Sequence, residues 1–318
     1  MTTSSTTLAA GGSPARGKRF PTHSPMERVR RRVFWPFVLP ALAGMVIFYF
    51  APIVFVAWLS LNKWSGFGPM RFVGTANYQQ LWLDPTFTTS IVNTFKILVI
   101  VGVITFVLAF ALTLVLRQMT GKHFVRSVLF FPNLINALIF AIFAGMLFNP
   151  NGLVNTALHW VGITDAPKWL APDNQFTLIM AILIWSSTGY FTSIIMSGVD
   201  QIPPYYYEAA SLDGAGPIRQ FFTVTLPLSW DVVSVCAILW TMSSVKVFEL
   251  ILVFGGTRAS SPNSQNWTTA IYVYLSAFQA NAGRAFGLAA AAALVSLALV
   301  AVLTLGLRRL LRREAIEL

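Results

Sequence analysis

Apolar residues run nearly unbroken through six stretches of the chain, 33–61, 91–116, 127–148, 176–199, 230–254 and 285–307, with polar connections between them. About 20 mostly apolar residues suffice for a helix to cross a bilayer. The pattern therefore predicts an all-α integral membrane protein of six transmembrane helices. Pro36, Pro40 and Pro52 predict kinks or interfacial ends in the first span, which neighbouring helices accommodate. Gly283, Gly287 and Ala289 to Ala293 give the sixth a side of small residues, suited to close packing against another span.

Composition agrees. Of the 318 residues, 56% are hydrophobic and 10% charged, whereas soluble domains carry roughly 25% charged residues. The net charge of +11 does not point to nucleic acid, because the basic residues gather at the chain ends and in one loop. Arg16, Lys18, Arg19, Arg28, Arg30, Arg31, Arg32, Arg117, Lys122, Arg126, Arg219, Arg308, Arg309, Arg312 and Arg313 fall on one side, and Lys63, Arg71, Lys168, Arg258 and Arg284 on the other. The richer side belongs in the cytoplasm, so both termini are expected inside a bacterial plasma membrane, with lipid around the spans. The expected division is a disordered basic tail over 1–32, a transmembrane domain over 33–307 and a second basic tail over 308–318. The first apolar run is longer than the roughly 7–15 residues of a signal-peptide core, and reads as a span. Trp58, Trp64, Trp82, Trp160, Trp169 and Trp267 lie near span ends, as interfacial belts require. The outer connections, 62–90, 149–175 and 255–284, are too short for a domain, so tight solute capture would need another protein. Cys236 stands alone in an apolar run and reads as a packing residue.

One internal segment, about 203–228, is a polar island between the fourth and fifth spans. Pro203 and Pro204 open a short helix, since proline fits a first helical turn. Gly214 is suited to end it, and Pro217 opens a second helix, so a helix-turn-helix loop is predicted on the cytoplasmic side. Ala209, Ala210 and Ala215 leave room for a partner backbone, while Glu208 and Asp213 offer charge to a basic partner. The alternative is a hairpin resting on lipid headgroups. Such helices are usually rich in Lys and Arg, and this one carries only Arg219.

The run Glu208-Ala209-Ala210, Asp213-Gly214-Ala215 and Leu226-Pro227 resembles the EAA loop of permease subunits in binding-protein-dependent ABC importers, with Val224 where isoleucine is usual. Phe72-Val73-Gly74, Asn77-Tyr78, Asp84-Pro85, Asn93-Thr94, Arg126, Phe131-Pro132, Asn149-Pro150, Gly152-Leu153-Val154-Asn155, Phe248-Glu249 and Gly255-Gly256 resemble the carbohydrate-importer, MalF/UgpA-like branch. The resemblance implies a heterodimer with a second permease, two cytoplasmic ATP-binding subunits and an extracytoplasmic solute-binding protein. It also implies that Glu208 and its neighbours enter a cleft on the ATPase, and that ATP is used by the partners while this chain binds no cofactor. The family's Gly-Gly-Pro is here Gly255-Gly256-Thr257-Arg258, with Pro262 farther on, which leaves the contacts of that loop open.

No enzyme is expected. Gly121-Lys122 is followed by His123, so there is no Walker A loop, and His23, His123 and His159 lack metal-ligand spacing. Intramembrane polar residues are the candidates for a solute path or gate: Asn133 and Asn136 in the third span, Trp185, Thr188 and Tyr190 in the fourth, Lys246 and Glu249 in the fifth. Trp185, Thr188 and Thr192 form one helical stripe. An aromatic ring among hydroxyls suits a sugar, and interhelical packing explains the same residues. Lys246 and Glu249, three apart in the fifth span, share a helix face, as a helix–helix salt bridge, with Lys246 snorkelling to the outer interface, or as a gate. The rival function is an ion-coupled secondary transporter, which would be expected to show internal repeats and membrane-embedded acids; Glu249 is the clear intramembrane acid and no repeat is evident. A non-transporting membrane scaffold is a third possibility.

Overall fold

The computed structural model describes residues 25–117, 119–163, 165–255, 263–279 and 284–312. The chain divides into two units, with the boundary between Val54 and Phe55. In the first unit, α1 (Pro25–Met45) keeps Pro36 and Pro40 inside the helix. A wider π-turn follows at Val46–Phe50, where the Ala51 N–H reaches back five residues to the Val46 carbonyl. Pro52, next in line, has no N–H to give. Its helix, α2 (Ala51–Ser60), closes the first apolar stretch, Phe34–Ser60.

In the second unit a small hairpin, β1 (Asn62–Lys63) and β2 (Arg71–Phe72), pairs antiparallel with Asn62 opposite Phe72. After α3 (Ala76–Leu83), the second span is one rod: α4 (Pro85–Lys96), a π-turn at Ile97–Val101, and α5 (Gly102–Arg117). Asp84 caps it by accepting from the Thr86 N–H at 2.8 Å, with Pro85 in the first turn. Its 33 residues reach about 50 Å at ~1.5 Å per residue, so it projects beyond the hydrocarbon layer. The π-turn frees the Leu98 carbonyl for the Trp240 indole N–H at 2.9 Å. Gly102 makes room for that ring, since a Cβ there would lie 2.4 Å from Trp240 Nε1. Along α5, Val103, Val107 and Val115 are exposed, as a lipid-facing side requires.

The third apolar stretch is not the single helix predicted over 127–148. It is α6 (Lys122–Phe130), a 3₁₀ turn at Phe131–Leu134, and α7 (Ala137–Leu147), bent by 98°. Proline disfavours helix at the residue before it and cannot donate, so Pro132 interrupts the ladder. Asn136 then starts a new helix by accepting from the Leu138 N–H at 3.0 Å.

The connection to the fourth span holds α8 (Leu153–Trp160), and α9 (Pro172–Val199) is that span. It crosses α6 at Gly189, where a Cβ would lie 1.8 Å from the Leu129 carbonyl oxygen. Then come α10 (Pro204–Leu212), α11 (Pro217–Gln220), a π-turn at Phe221–Thr225 and α12 (Leu226–Leu228). The fifth span is α13 (Trp230–Ser244) and α14 (Glu249–Phe254), with a break between them.

The expected loop 255–284 contains an apolar helix of ten residues, α15 (Thr269–Phe278), too short to register as a span. The sixth span is α16 (Phe286–Leu311). Its small-residue side packs as expected: Ala289 to Ala292 are buried, and Gly287 lets the Asn62 carbonyl approach to within 1.9 Å of a hypothetical Cβ. Gly283 lies outside the described residues. Among the described residues, five helical stretches are long and apolar enough to cross a membrane, and six if the bent pair counts as one. One apolar core joins Phe140 and Ala144 of α7, Ile179 of α9, Ile251 of α14 and Ile271 of α15. Another gathers Ile97, Val101, Phe191, Ile195, Cys236 and Trp240.

Candidate functional site

The break in the fifth span falls at Val245–Phe248, after Ser243 and Ser244. Lys246 N–H closes the last turn of α13 on the Ser243 carbonyl, and Phe248 leaves helical geometry at φ −137°. A break inside a membrane strands backbone carbonyls, and each must find a donor. The buried Thr268 hydroxyl supplies one to the Val247 carbonyl at 2.7 Å. At the end of α14, Gln175 Nε2 donates to the Phe254 carbonyl at 2.6 Å, and Asn266 Nδ2 donates to Gln175 Oε1 at 2.7 Å. The break is thereby held from the loop that leads into α15, and the far end of α14 from α9.

Beside it lies a cavity of about 180 Å³, whose lining includes Phe140, Ser186, Ser243, Lys246 and Glu249. Lys246 also borders an apolar groove of about 680 Å³ between α13, α15 and α16. The expectation that Lys246 and Glu249 share one helix face is corrected: the first lies in the break and the second opens the next helix. They nonetheless reach the same cavity. Among the described residues, neither pairs with an opposite charge within 4.0 Å. Two charges and two hydroxyls beside an aromatic ring suit a polyhydroxylated solute, whose hydroxyls take donors and acceptors while its C–H face packs on the ring.

The remaining candidates divide. Trp185 is 54% exposed and lies outside the lining, packing against Phe140, which lines the cavity, with ring centroids 5.5 Å apart. Asn136 caps α7 next to Ala137, which lines it. Asn133 is exposed and outside the lining. Thr188 is buried with its hydroxyl donated to the Ile184 carbonyl at 2.6 Å, and Thr192 does the same to Thr188. Both hydroxyls are thus satisfied within α9 itself. Tyr190 stacks on Phe130 and meets Phe191 edge-on. Phe140 and Ser243 are additions; a serine beside Ser244 in an apolar run gave no signal beyond its polarity.

The second feature is the polar knuckle. α10 starts at Pro204 with proline in its first turn and ends at Leu212; Gly214 takes φ +74°, and α11 starts at Pro217. The Ala215 N–H returns to the Ala210 carbonyl at 2.9 Å, a C-terminal closure that a glycine in the left-handed region permits. Gln220 Nε2 staples α11 to α10 by donating to Ser211 Oγ and the Ala215 carbonyl. Ile202, Tyr207 and Val224 form a small core beneath, partly covered by Ala210 and Leu228. Glu208, Ala209, Asp213 and Gly214 are exposed, Ala210, Ala215, Leu226 and Pro227 half-buried. The Tyr205 phenol is held above its usual range by its hydrogen bond to Tyr206. The knuckle thus offers water an acidic, small-residue surface on a packed base.

Residues 105–316 match the family described as binding-protein-dependent transport system inner membrane component. The chain is 32% identical over 273 residues to the probable ABC transporter permease protein YurN of Bacillus subtilis (strain 168), covering 83% of this chain and 91% of that one. It is 30% identical over 275 residues to the lactose transport system permease protein LacF of Rhizobium radiobacter, covering 85% and 91%. Its fold matches that of a chain in the crystal structure of a bacterial alginate ABC transporter in complex with alginate pentasaccharide-bound periplasmic protein, with a TM-score of 0.76 at 20% identity over 92% of this chain and 99% of the other. On these grounds the chain belongs to the family of inner membrane components of binding-protein-dependent transport systems.

Proposed function

We propose that this chain is one of two permease subunits of an ATP-driven importer for a sugar or sugar-like solute, working with two cytoplasmic ATP-binding subunits and an extracytoplasmic solute-binding protein. Membership of the family supports the transport role, and the sugar-named relatives support the solute class. The cavity of about 180 Å³ is smaller than the roughly 300–1,000 Å³ of complete ligand pockets, which suits half of a pathway that a second permease completes.

The observation that carries the coupling reading is the knuckle. Glu208 and Asp213 stand exposed on a base fixed by buried Tyr207, so a basic cleft on an ATPase can grip them without unfolding anything. In this reading the knuckle and both termini face the cytoplasm. ATP binding closes the ATPase pair and displaces α10 and α11; the spans tilt and open the cavity outward to the loaded binding protein. Hydrolysis resets the inward-facing state. The chain contributes the path and the lever, and the nucleotide stays on the partners.

The test is reconstitution with partner subunits in proteoliposomes, with radiolabelled lactose as the first sugar of a panel. Uptake is expected only with ATP and the ATPase, and a Glu208→Cys variant should crosslink to the ATPase. Uptake that follows a proton or sodium gradient without the ATPase would instead establish the ion-coupled rival.

A further inference from the structure

Arg117 is the last residue of the rod α4–α5. Its guanidinium carbon lies 3.2 Å from the centroid of the Tyr207 ring, which is buried to 8% exposure on the underside of α10. The Tyr207 hydroxyl lies 3.2 Å from Thr225 Oγ1 in the π-turn. A second contact runs parallel: Phe110 of α5 meets Phe221 edge-on, centroids 5.5 Å apart. α10 is therefore seated on the end of α5 by a stacked cation, and the π-turn that follows α11 rests on α5 through an aromatic pair. Among the described residues Arg117 has no carboxylate partner, so the ring face is what orients its charge. A planar guanidinium stacks on an aromatic face as an ammonium does not.

Tyr207 and Glu208 are consecutive, so about 100° of helical rotation separates them. Fixing the ring inward fixes the carboxylate outward. Farther along the same rod, Leu98 accepts from Trp240, and Trp240 lies on α13, the helix that ends at the break beside Lys246. A continuous set of contacts thus leads from the knuckle to the cavity: Tyr207, Arg117, the rod, Leu98, Trp240, α13.

We propose that Arg117 is a positioning residue for energy coupling: stacked on Tyr207, it ties α10 to the end of α5 and carries displacement of α10 into the rod. This inference rests on the knuckle being the ATPase contact. Physical adjacency alone does not establish coupling, so the test must measure it.

The test uses the assembled transporter with Cys236→Ala and Ser243→Cys in the chain. The readout is labelling of position 243 by an externally added, membrane-impermeant maleimide, with and without ATP plus vanadate. The parent should show a nucleotide-dependent change in labelling rate. Arg117→Gln and Tyr207→Leu should each shrink that change at least about threefold, in keeping with a buried cation–π contact. The double variant should be no worse than either single one, and Tyr207→Phe, which keeps the ring, should match the parent. Assembly, followed by co-purification and by the Glu208→Cys crosslink, should be unaffected. A parental response in Arg117→Gln, or losses that multiply in the double variant, overturns the inference while leaving the crosslink, and the function reading, intact. If Arg117→Gln fails to assemble, Arg117→Lys decides: a reduced response supports the role and a parental one overturns it. If Glu208→Cys captures no ATPase in the parent, the function reading fails and this inference fails with it.

Discussion

Thr268 donates its hydroxyl to the main-chain carbonyl of Val247 across 2.7 Å, joining the loop before α15 to the broken segment of the fifth span. Neither residue is remarkable in the sequence. Together they keep a helix interrupted inside an apolar environment, where an unpaired carbonyl is costly.

Thr268→Val keeps the shape and removes the donor. The orphaned carbonyl is expected to cost about 1–3 kcal/mol, read as a lower thermal midpoint of the purified protein in detergent. Thr268→Ser should stay near the parent. An unchanged midpoint in Thr268→Val would show that another donor serves the break.

Gly189 permits the crossing of α6 on α9, with the Leu129 carbonyl where a side chain would begin. Backbone cannot swing aside as a flexible side chain does, so Gly189→Ala should force the helices apart. Overpacking of this kind costs about 1–3 kcal/mol or more, and expression as a folded membrane protein should fall sharply. Gly306→Ala is the control. It meets nothing within 4 Å in α16, and alanine replaces glycine in a helix with a gain of about 0.5–1 kcal/mol. Size-exclusion profiles of the two variants would separate these outcomes.

The spans were legible because a bilayer imposes a one-dimensional rule: long enough and apolar enough. That rule has no vocabulary for interruption. The 98° bend after Leu134 has local causes in Pro132 and Asn136, whereas the break at Val245–Phe248 and the helix α15 depend on partners distant in sequence. Asn93 Nδ2, for example, donates to the carbonyls of Gln265 and Trp267, and Thr94 Oγ1 accepts from the Thr269 N–H. The residues that carried the family resemblance are largely such brackets. Asn77 donates to the carbonyls of Ser60 and Asn62, Asp84 accepts from the Tyr272 hydroxyl, and Asn155 holds the Asn149 and Pro150 carbonyls while accepting from Trp169. Motif recognition found them without their reason. The cavity was half legible: Lys246 and Glu249 were visible as charges in an apolar run, but Ser243 and Phe140 join them only through the break and the packing of α7.

Asp200, just past α9, accepts from Lys122 at 2.8 Å and lies 3.8 Å from Arg126, whose other nitrogen donates to the Ser193 carbonyl at 2.6 Å. Side-chain exposure of 28–36% at these groups places them within reach of water, where such pairs contribute about 0–1 kcal/mol. Asp200→Asn should therefore shift the thermal midpoint little, and less still at high salt. Arg126→Met should cost more, because it also removes the charged side-chain donor that the Ser193 carbonyl has in addition to the helix ladder. Equal effects from the two variants would assign the stability to the charges.

Lys246 and Glu249 border one cavity without neutralising each other within 4.0 Å. If they hydrogen-bond a neutral sugar, each neutral amide replacement keeps a polar head but weakens a charge-assisted bond to an uncharged one. Such bonds are roughly twice as strong as neutral ones, so Lys246→Gln and Glu249→Gln should each lower uptake by about tenfold at limiting solute. Folding and basal ATP hydrolysis by the assembled complex should hold. An anionic solute breaks this symmetry: Lys246→Gln would be the severe variant, while Glu249→Gln would lose little or improve uptake by removing a repelling charge. A cationic amino sugar reverses the order. Measuring both variants against a neutral, an acidic and an amino sugar therefore reads the charge of the natural solute from the protein side. Parental uptake of every sugar by both variants would remove this cavity from the path.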